Sequence, residues 1–428
     1  MNALAVVLFW VLVGLVAGQA LMVIRFCQIL YRRARPEAAA APYCPKTAVI
    51  LCLRGPDPFL PACVEALLTL DYPSYDVQII VDSPDDPARQ IAEETTRRIA
   101  EKEAVARQGP AVQITVLTDH RDSCSLKCSS LLQAVAAMDE SYEVVALLDA
   151  DTVPHPSWLR DLVAPLADAQ VGASTGNRWY MPAGASWGAL VRYVWNSAAV
   201  VQMFSYGIPW GGTLALKTDV LRRSDLLDRW GRAFCEDTMV YSSLRKLGMK
   251  VAFVPSLMMV NREACSVSSF YHWVRRQLLA ARLYHPGWPA VVVHCIGTAL
   301  LQVAVAGLLL AAVLSAQWHA AAWFAAGLAC YWGPMPLLLC GMEACVRRIV
   351  HARGEPTGWL AGCAWLRLLA ALPLTQSVYP VALISALLVR KVHWRGVFYQ
   401  IGGPAQVHLI EYHPYRSDET PVDDMASL

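Results

Sequence analysis

The stretch 144–156, Val-Val-Ala-Leu-Leu-Asp-Ala-Asp-Thr-Val-Pro-His-Pro, limits what this chain can become more than any other. Five apolar residues without alternation predict a strand buried on both faces, as in a parallel sheet covered by helices. The run ends in Asp149-Ala150-Asp151. The acids therefore sit at the carboxyl end of the strand, where open α/β sheets bind ligands. Two carboxylates one residue apart can hold a hard divalent cation, and the cation can hold a diphosphate. The plainer reading is a capped turn before Pro154, and the neighbouring segments decide between the two.

Those neighbours alternate. Strands are expected at 47–53, 76–81, 112–117, 144–148, 171–176, 214–216 and 251–255. Helical spacing covers 59–70, 88–107, 125–137 and 187–204. Strands alternating with helices imply an α/β fold with a mostly parallel sheet and right-handed crossovers. The second strand also ends in an acid, Asp82, within Asp-Ser-Pro-Asp-Asp-Pro, which read alone is an Asx-turn sequence. Trp210-Gly211-Gly212-Thr213 precedes the short strand at 214–216. Adjacent glycines let the backbone approach a ligand closely, or simply bend. Cys235-Glu236-Asp237-Thr238 reads as the start of a helix, where acids are favoured by the helix dipole.

Four apolar stretches surround this unit. The run 4–24 carries no charge and is long enough to cross a ~30 Å hydrocarbon core. It lacks a basic start and a clear small-residue cleavage site, so it reads as an anchor rather than a signal peptide. Arg25, Arg32, Arg33 and Arg35 follow it and place the next domain in the cytosol. Further runs cover 290–316, 320–346 and 366–389. The last contains Pro373 and Pro380. It is expected to be a broken helix that re-enters or lies along the membrane, returning the tail to the cytosol. Trp394-Arg395-Gly396 would then lie near the site.

The chain is 56% hydrophobic and 16% charged, too apolar for an ordinary soluble enzyme. A net charge of +2 implies no nucleic-acid partner. The 13 cysteines show no zinc-type paired spacing and are expected to be reduced thiols.

Strand, acid at the strand end, and a later strand ending in Asp-x-Asp together resemble the nucleotide-sugar-binding half of the GT-A, family 2 glycosyltransferases. The resemblance is strongest to the lipid-modifying, ceramide glucosyltransferase-like branch, and it covers about 47–282 plus the flanking apolar runs. It implies that Asp82 binds the nucleobase, and that Asp149 and Asp151 bind the ribose and a metal-diphosphate, with Mn2+ or Mg2+ as the metal. Asp151 ranks above Asp149 as metal ligand. Arg54 and Lys127 match the family's donor-site pattern, and Trp210, Gly211 and Gly212 would lie beside the donor sugar and acceptor. Asp237, preceded by Glu236, would be the catalytic base of an inverting transfer. The family often carries Gln-x-x-Arg-Trp where this chain has Arg275-Arg276-Gln277; the Trp is missing in either register, and an Arg is left for the diphosphate. Membrane-surface snorkelling is the other reading of the two arginines.

The expected organisation is an anchor at 1–35, a cytosolic GT-A domain at 45–265, an amphipathic interface helix at 266–289, a membrane region at 290–389 with two to three spans, and a polar tail at 390–428. The expected activity is transfer of a hexose from a UDP-sugar to the hydroxyl of a membrane lipid. The alternatives are a polysaccharide synthase of the same family, and a non-catalytic scaffold or transporter. A transporter would carry more spans and intramembrane ionisable residues.

Overall fold

The structure is a computed structural model describing residues 1–32, 43–103, 109–358, 360, 362 and 364–415. Arg33, Arg35, the linker 36–42, positions 104–107 of the third helix and the last part of the tail lie outside the described residues.

The chain opens with α1 (Asn2–Arg32), then β1 (Thr47–Leu53), α2 (Leu60–Leu68), β2 (Tyr75–Val81), α3 (Pro87–Glu103), β3 (Val112–Val116), α4 (Leu126–Ala136) and β4 (Val144–Leu148). After α5 (Trp158–Val163) come β5 (Val171–Tyr180), α6 (Trp187–Tyr206), β6 (Thr213–Lys217), α7 (Thr218–Arg223), α8 (Leu226–Trp230), α9 (Val240–Lys246) and β7 (Lys250–Asn261). The seven strands form one sheet in the order β3-β2-β1-β4-β6-β5-β7. β6 runs antiparallel to β4 and β5, and the other pairings are parallel. The α/β, mostly parallel expectation holds. The chain leaves β1 towards β2 on one side and returns to β4 on the other, so β1 and β4 flank a switch point where a crevice opens at the strand ends.

Every residue of β4 is buried, as an unalternating apolar run requires. Two apolar layers cover the sheet. Cys63, Leu67 and Trp158 belong to one, and Leu131, Trp230 and Phe234 to the other. β5 runs four residues past the expected end, to Tyr180, because its second half pairs with β7 through Asn177–Met258 and Tyr180–Asn261.

α10 (Val267–Tyr284) leads to α11 (Trp288–Leu314), α12 (Trp318–Trp332), α13 (Pro334–Ala352) and α14 (Ala364–Leu388). Among the described residues four helical segments are long and apolar enough to cross a membrane: Asn2–Arg32, Trp288–Leu314, Trp318–Ala352 and Ala364–Leu388. The third is divided at Gly333, because Pro334 cannot donate the next helical hydrogen bond. The fourth corrects an expectation: α14 is one continuous helix containing Pro373 and Pro380. Its packing against α6, α10 and α11 supports the helix through the two lost bonds, with Ala371, Ala382 and Ala386 buried in the same core as Trp273 and Val291.

The segment before α14 is attached to the α/β unit, and the last turn of α14 to α10. Before it, Arg353 donates to the carbonyls of Ser256 and Met258 at 2.8 and 3.0 Å, and Arg262 to that of Pro356 at 2.7 Å. In the last turn of α14, the carbonyls of Ala386 and Leu387 accept from Arg282 of α10, both at 2.6 Å. The tail that follows has more structure than the sequence suggested: β8 (Lys391–Trp394), β9 (Val397–Gly403) and β10 (Gln406–Glu411) form a small antiparallel sheet. Its apolar face, with Val392, Tyr399 and Val407, completes the layer that holds Phe234. Arg395-Gly396 is the two-residue turn between β8 and β9, with φ of +47° and +76°, the left-handed pair such hairpins use.

Candidate active site

A cavity of about 290 Å³ opens at the carboxyl ends of β1, β2 and β4. It is lined by Arg54, Asp82, Lys127, Asp149, Asp151, Trp210, Glu236, Asp237, Arg276 and Gln277. These expected site residues come from segments far apart in sequence. Gly211 and Gly212 lie against the same acids: a Cβ on Gly211 would meet Glu236 Oε1 at 2.1 Å, and one on Gly212 would meet Asp149 Oδ2 at 2.7 Å. Close approach is therefore the reason for both glycines. Arg275 is not brought in. It packs over the Tyr271 ring, four residues back on α10, while Arg276 turns towards the cavity and stacks on Trp394 at 5.1 Å. Trp394 thus puts an indole beside this arginine although the helix itself lacks the expected Trp.

At one end of the cavity, Asp82 is 3% exposed and is held by Arg54, the backbone N–H of Tyr415 at 3.1 Å and the Tyr412 hydroxyl at 3.4 Å, all on Oδ2. Its Oδ1 is buried with no hydrogen-bond partner. Arg54 also donates to the carbonyls of Arg395 and His413 at 2.7 and 2.9 Å. Arg395 answers by donating to the Arg54 carbonyl at 2.8 Å and pairing with buried Asp57 at 3.3 Å.

At the centre, Lys127 bridges Asp149 Oδ1 at 2.7 Å and Glu236 Oε1 at 2.6 Å. Arg178, which the sequence reading missed, reaches the acids from β5. Its Nη2 lies 2.9 Å from Asp151 Oδ1, 2.8 Å from Asp151 Oδ2 and 3.6 Å from Asp149 Oδ2. An arginine just beyond an apolar strand run was the available signal, and it fell outside because the strand was ended at Gly176.

The carboxyls respond to this setting. Burial pushes Asp151 up to about 7, with Arg178 opposing and Asp149 adding to the rise. Burial also pushes Glu236 up to about 7 against the pull of Lys127. Burial works on Asp149 in the same sense, but Lys127 and Arg178 outweigh it and hold this carboxyl below the usual range. Three carboxyls thus face two interior cations. Asp151 Oδ2 accepts no well-formed hydrogen bond and is met only by the Arg178 guanidinium, 2.8 Å away, so Asp149 and Asp151 together offer carboxylate oxygens that a divalent cation could share with this arginine. Among the described residues no group of three or more His, Cys, Asp or Glu is gathered for a metal, so the remaining ligands would be substrate oxygens and water.

Glu236 and Asp237 do not open a helix, which corrects the expectation. They lie in a turn, and α9 starts at Val240. The Trp230 indole donates to the Glu236 carbonyl at 2.9 Å and holds the backbone in that turn. Glu236 is 3% exposed and turned inward to Lys127. Asp237 is half-buried, with Oδ2 accepting from Gly211 N–H at 2.9 Å and Oδ1 from the Thr238 hydroxyl at 2.9 Å.

Sequence comparison matches residues 6–406 to glycosyl transferase family 21. The chain belongs to this family. It is therefore a glycosyltransferase, an enzyme that transfers a sugar, on an α/β sheet of GT-A type carrying four apolar helices. No curated protein matches it. Among solved structures it is similar to a mannosyltransferase from Pyrobaculum calidifontis in complex with GDP-Man and Mn2+. That match has 18% identity and a TM-score of 0.48, and covers 90% of this chain and 99% of the other. It is also similar to glucosyl-3-phosphoglycerate synthase from Mycobacterium tuberculosis, at 13% identity and a TM-score of 0.36, covering 55% and 79% of the two chains.

Proposed function

We propose that this glycosyltransferase moves a hexose, with inversion, from a UDP-sugar to the hydroxyl of a membrane lipid at the cytosolic face. The observation that carries this reading is the shape of the cavity. Its polar end holds Asp82, Asp149, Asp151 and Asp237, and its far wall is apolar, made by Trp195, Met203, Trp273, Leu278, Val291 and Tyr379. The apolar wall comes from α6 and α10 and from α11 and α14, the last two apolar enough to cross a membrane, so an acceptor with hydrocarbon chains would reach the acids without leaving an apolar surface.

Asp237 is the general base in this reading. It is the more exposed carboxylate of the Glu236-Asp237 pair, fixed in orientation and not held by a cation as Glu236 is by Lys127. It takes the proton of the acceptor hydroxyl as the oxygen attacks the anomeric carbon and the diphosphate leaves with the bonding pair. Asp149 and Asp151 would hold Mn2+ or Mg2+, which when bound stabilises negative charge on the leaving diphosphate. Lys127 keeps Asp149 and Glu236 in register, and Arg276 and Gln277 line the passage towards the acceptor.

The basic residues favour a cytosolic active site. Arg32 ends α1 with Arg25 two turns before it, Arg348 near the end of α13 stacks on Tyr31 at 4.3 Å, and Arg353 is bound to the α/β unit. Positive charge collects on the cytosolic side of a membrane. With the segment before α14 bound to the α/β unit and the tail sheet after it packed on the same unit, the helix lies along the membrane face and the tail stays with the catalytic domain.

The deciding experiment is mass spectrometry of lipids from cells expressing the protein beside cells expressing Asp237→Asn. It is run with an assay of UDP release from UDP-sugars by detergent-solubilised protein with Mn2+. A new glycolipid only with the unaltered protein is expected. UDP release that needs a soluble sugar acceptor, with no lipid product, would overturn the reading.

A further inference from the structure

We infer that Arg178 is a catalytic residue that binds the diphosphate of the donor through its buried Nε–H. The inference rests on the nucleotide-sugar reading above.

Three sides of the Arg178 guanidinium are accounted for by protein. Nη2 meets Asp151 at 2.9 Å, Nη1 donates to the Tyr180 hydroxyl at 3.3 Å, and the flat face lies 4.8 Å from the centre of the Trp210 ring. The backbone is fixed as well, since Asn196 donates to the Arg178 carbonyl at 2.8 Å. The residue is 8% exposed and lines the cavity, yet its Nε–H is buried without an acceptor. A buried donor on a charged group is costly to leave unmet. Phosphate oxygens are the acceptors whose geometry and charge suit a guanidinium edge.

Other cations at the cavity are more fully committed. Lys127 is held by Asp149 and Glu236, and Arg54 by Asp82 and two carbonyls. Arg178 stands beside the two acids that would carry the metal and over Trp210, which begins the Trp-Gly-Gly segment packed against Asp237 and Asp149. A diphosphate reaching Asp149 and Asp151 would therefore come beside the Arg178 guanidinium, whose Nε–H has no protein acceptor. In the transfer, the acceptor oxygen–carbon bond forms, its proton goes to Asp237, and the bond from the anomeric carbon to the phosphate oxygen breaks. The electron pair leaves on the diphosphate, where the Nε–H of Arg178 donates to it. No further reactant is required.

The test is calorimetry on the full chain in detergent with Mn2+, comparing UDP with UMP for wild type, Arg178→Gln and Arg178→Lys. GDP and ADP, with their monophosphates, replace the uridine pair if wild type prefers them. Arg178→Gln is expected to weaken diphosphate binding at least tenfold while the monophosphate changes less than threefold. Arg178→Lys keeps a positive charge by Asp151 but lacks the second N–H edge, so it should weaken the diphosphate three- to tenfold, and it carries the test if the Gln variant does not fold. Unchanged diphosphate affinity in either variant overturns the inference, and so does an equal loss for both ligands, which would mark a purely structural arginine. A wild-type protein that binds none of the three diphosphates overturns the donor reading itself, and this inference with it.

Discussion

The backbone N–H of Tyr415 donates to Asp82 Oδ2 at 3.1 Å, joining the last described residue to the end of β2. The Tyr415 ring lies where a side chain on Gly55 would be, 2.4 Å from an added Cβ, and Gly55 itself has φ of +73°. The tail is thus built into the Asp82 end of the cavity rather than appended to it.

Ending the chain after Glu411 removes Tyr412 and Tyr415 from Asp82 and the His413 carbonyl from Arg54. At about 1 kcal/mol for each lost bond, more where a charge is involved, UDP affinity should fall roughly tenfold or more. Calorimetry of the shortened chain checks this, and full-strength UDP binding would separate the tail from the nucleotide.

Asp237→Asn keeps the shape of the side chain and its acceptor oxygen but loses basicity. Turnover should drop by at least ~10²-fold, with UDP affinity retained. Near-normal turnover would remove Asp237 from the role of base.

Gly211→Ala places a methyl 2.1 Å from Glu236 Oε1, an oxygen that Lys127 already holds. The carboxylate cannot swing away without breaking that pair. Sugar transfer should fall by roughly an order of magnitude or more while the thermal midpoint moves by only a few degrees. A variant as active as wild type would show that Glu236 can be displaced freely.

The buried carboxyls give stability a pH slope. Glu236 ionises near 4.5 in a free chain and near 7 here, with burial the main cause. Between those values the folded protein keeps a proton that the unfolded chain has released, so stability falls as pH rises through this window. Asp151, also pushed up to about 7, acts in the same sense. The thermal midpoint in detergent should be higher at pH 5 than at pH 7.5, and Glu236→Gln should flatten this dependence without abolishing it. A midpoint that rises with pH in wild type would contradict the assignment.

The attachment to the α/β unit of the segments before and after α14 makes a topological prediction. A single cysteine introduced at exposed His408, in a background without the native cysteines, should resist an impermeant maleimide in intact cells and react once the membrane is opened. Labelling in intact cells would place the tail on the opposite side.

Local pattern was enough for much of this protein. Residues 144–148 are apolar without interruption, so they had to be a buried strand, and the acids that follow had to emerge at its end. The spans 4–24 and 290–316 were equally legible, because length and apolarity alone decide whether a helix can cross a bilayer. Tertiary contacts decided the rest. Arg178 reaches Asp151 only because β5 continues along β7, and pairing of that kind is not written in the residues of β5 alone. Arg275 and Arg276 are adjacent in sequence, but a helix turns them about 100° apart, and only the packing of α10 selects the one that faces the cavity. Pro373 and Pro380 signal a break, yet neighbouring helices hold α14 continuous. The tail reads as polar because each of its strands buries only alternate residues, and its apolar face acquires meaning only when it meets Phe234 and the Arg54 turn.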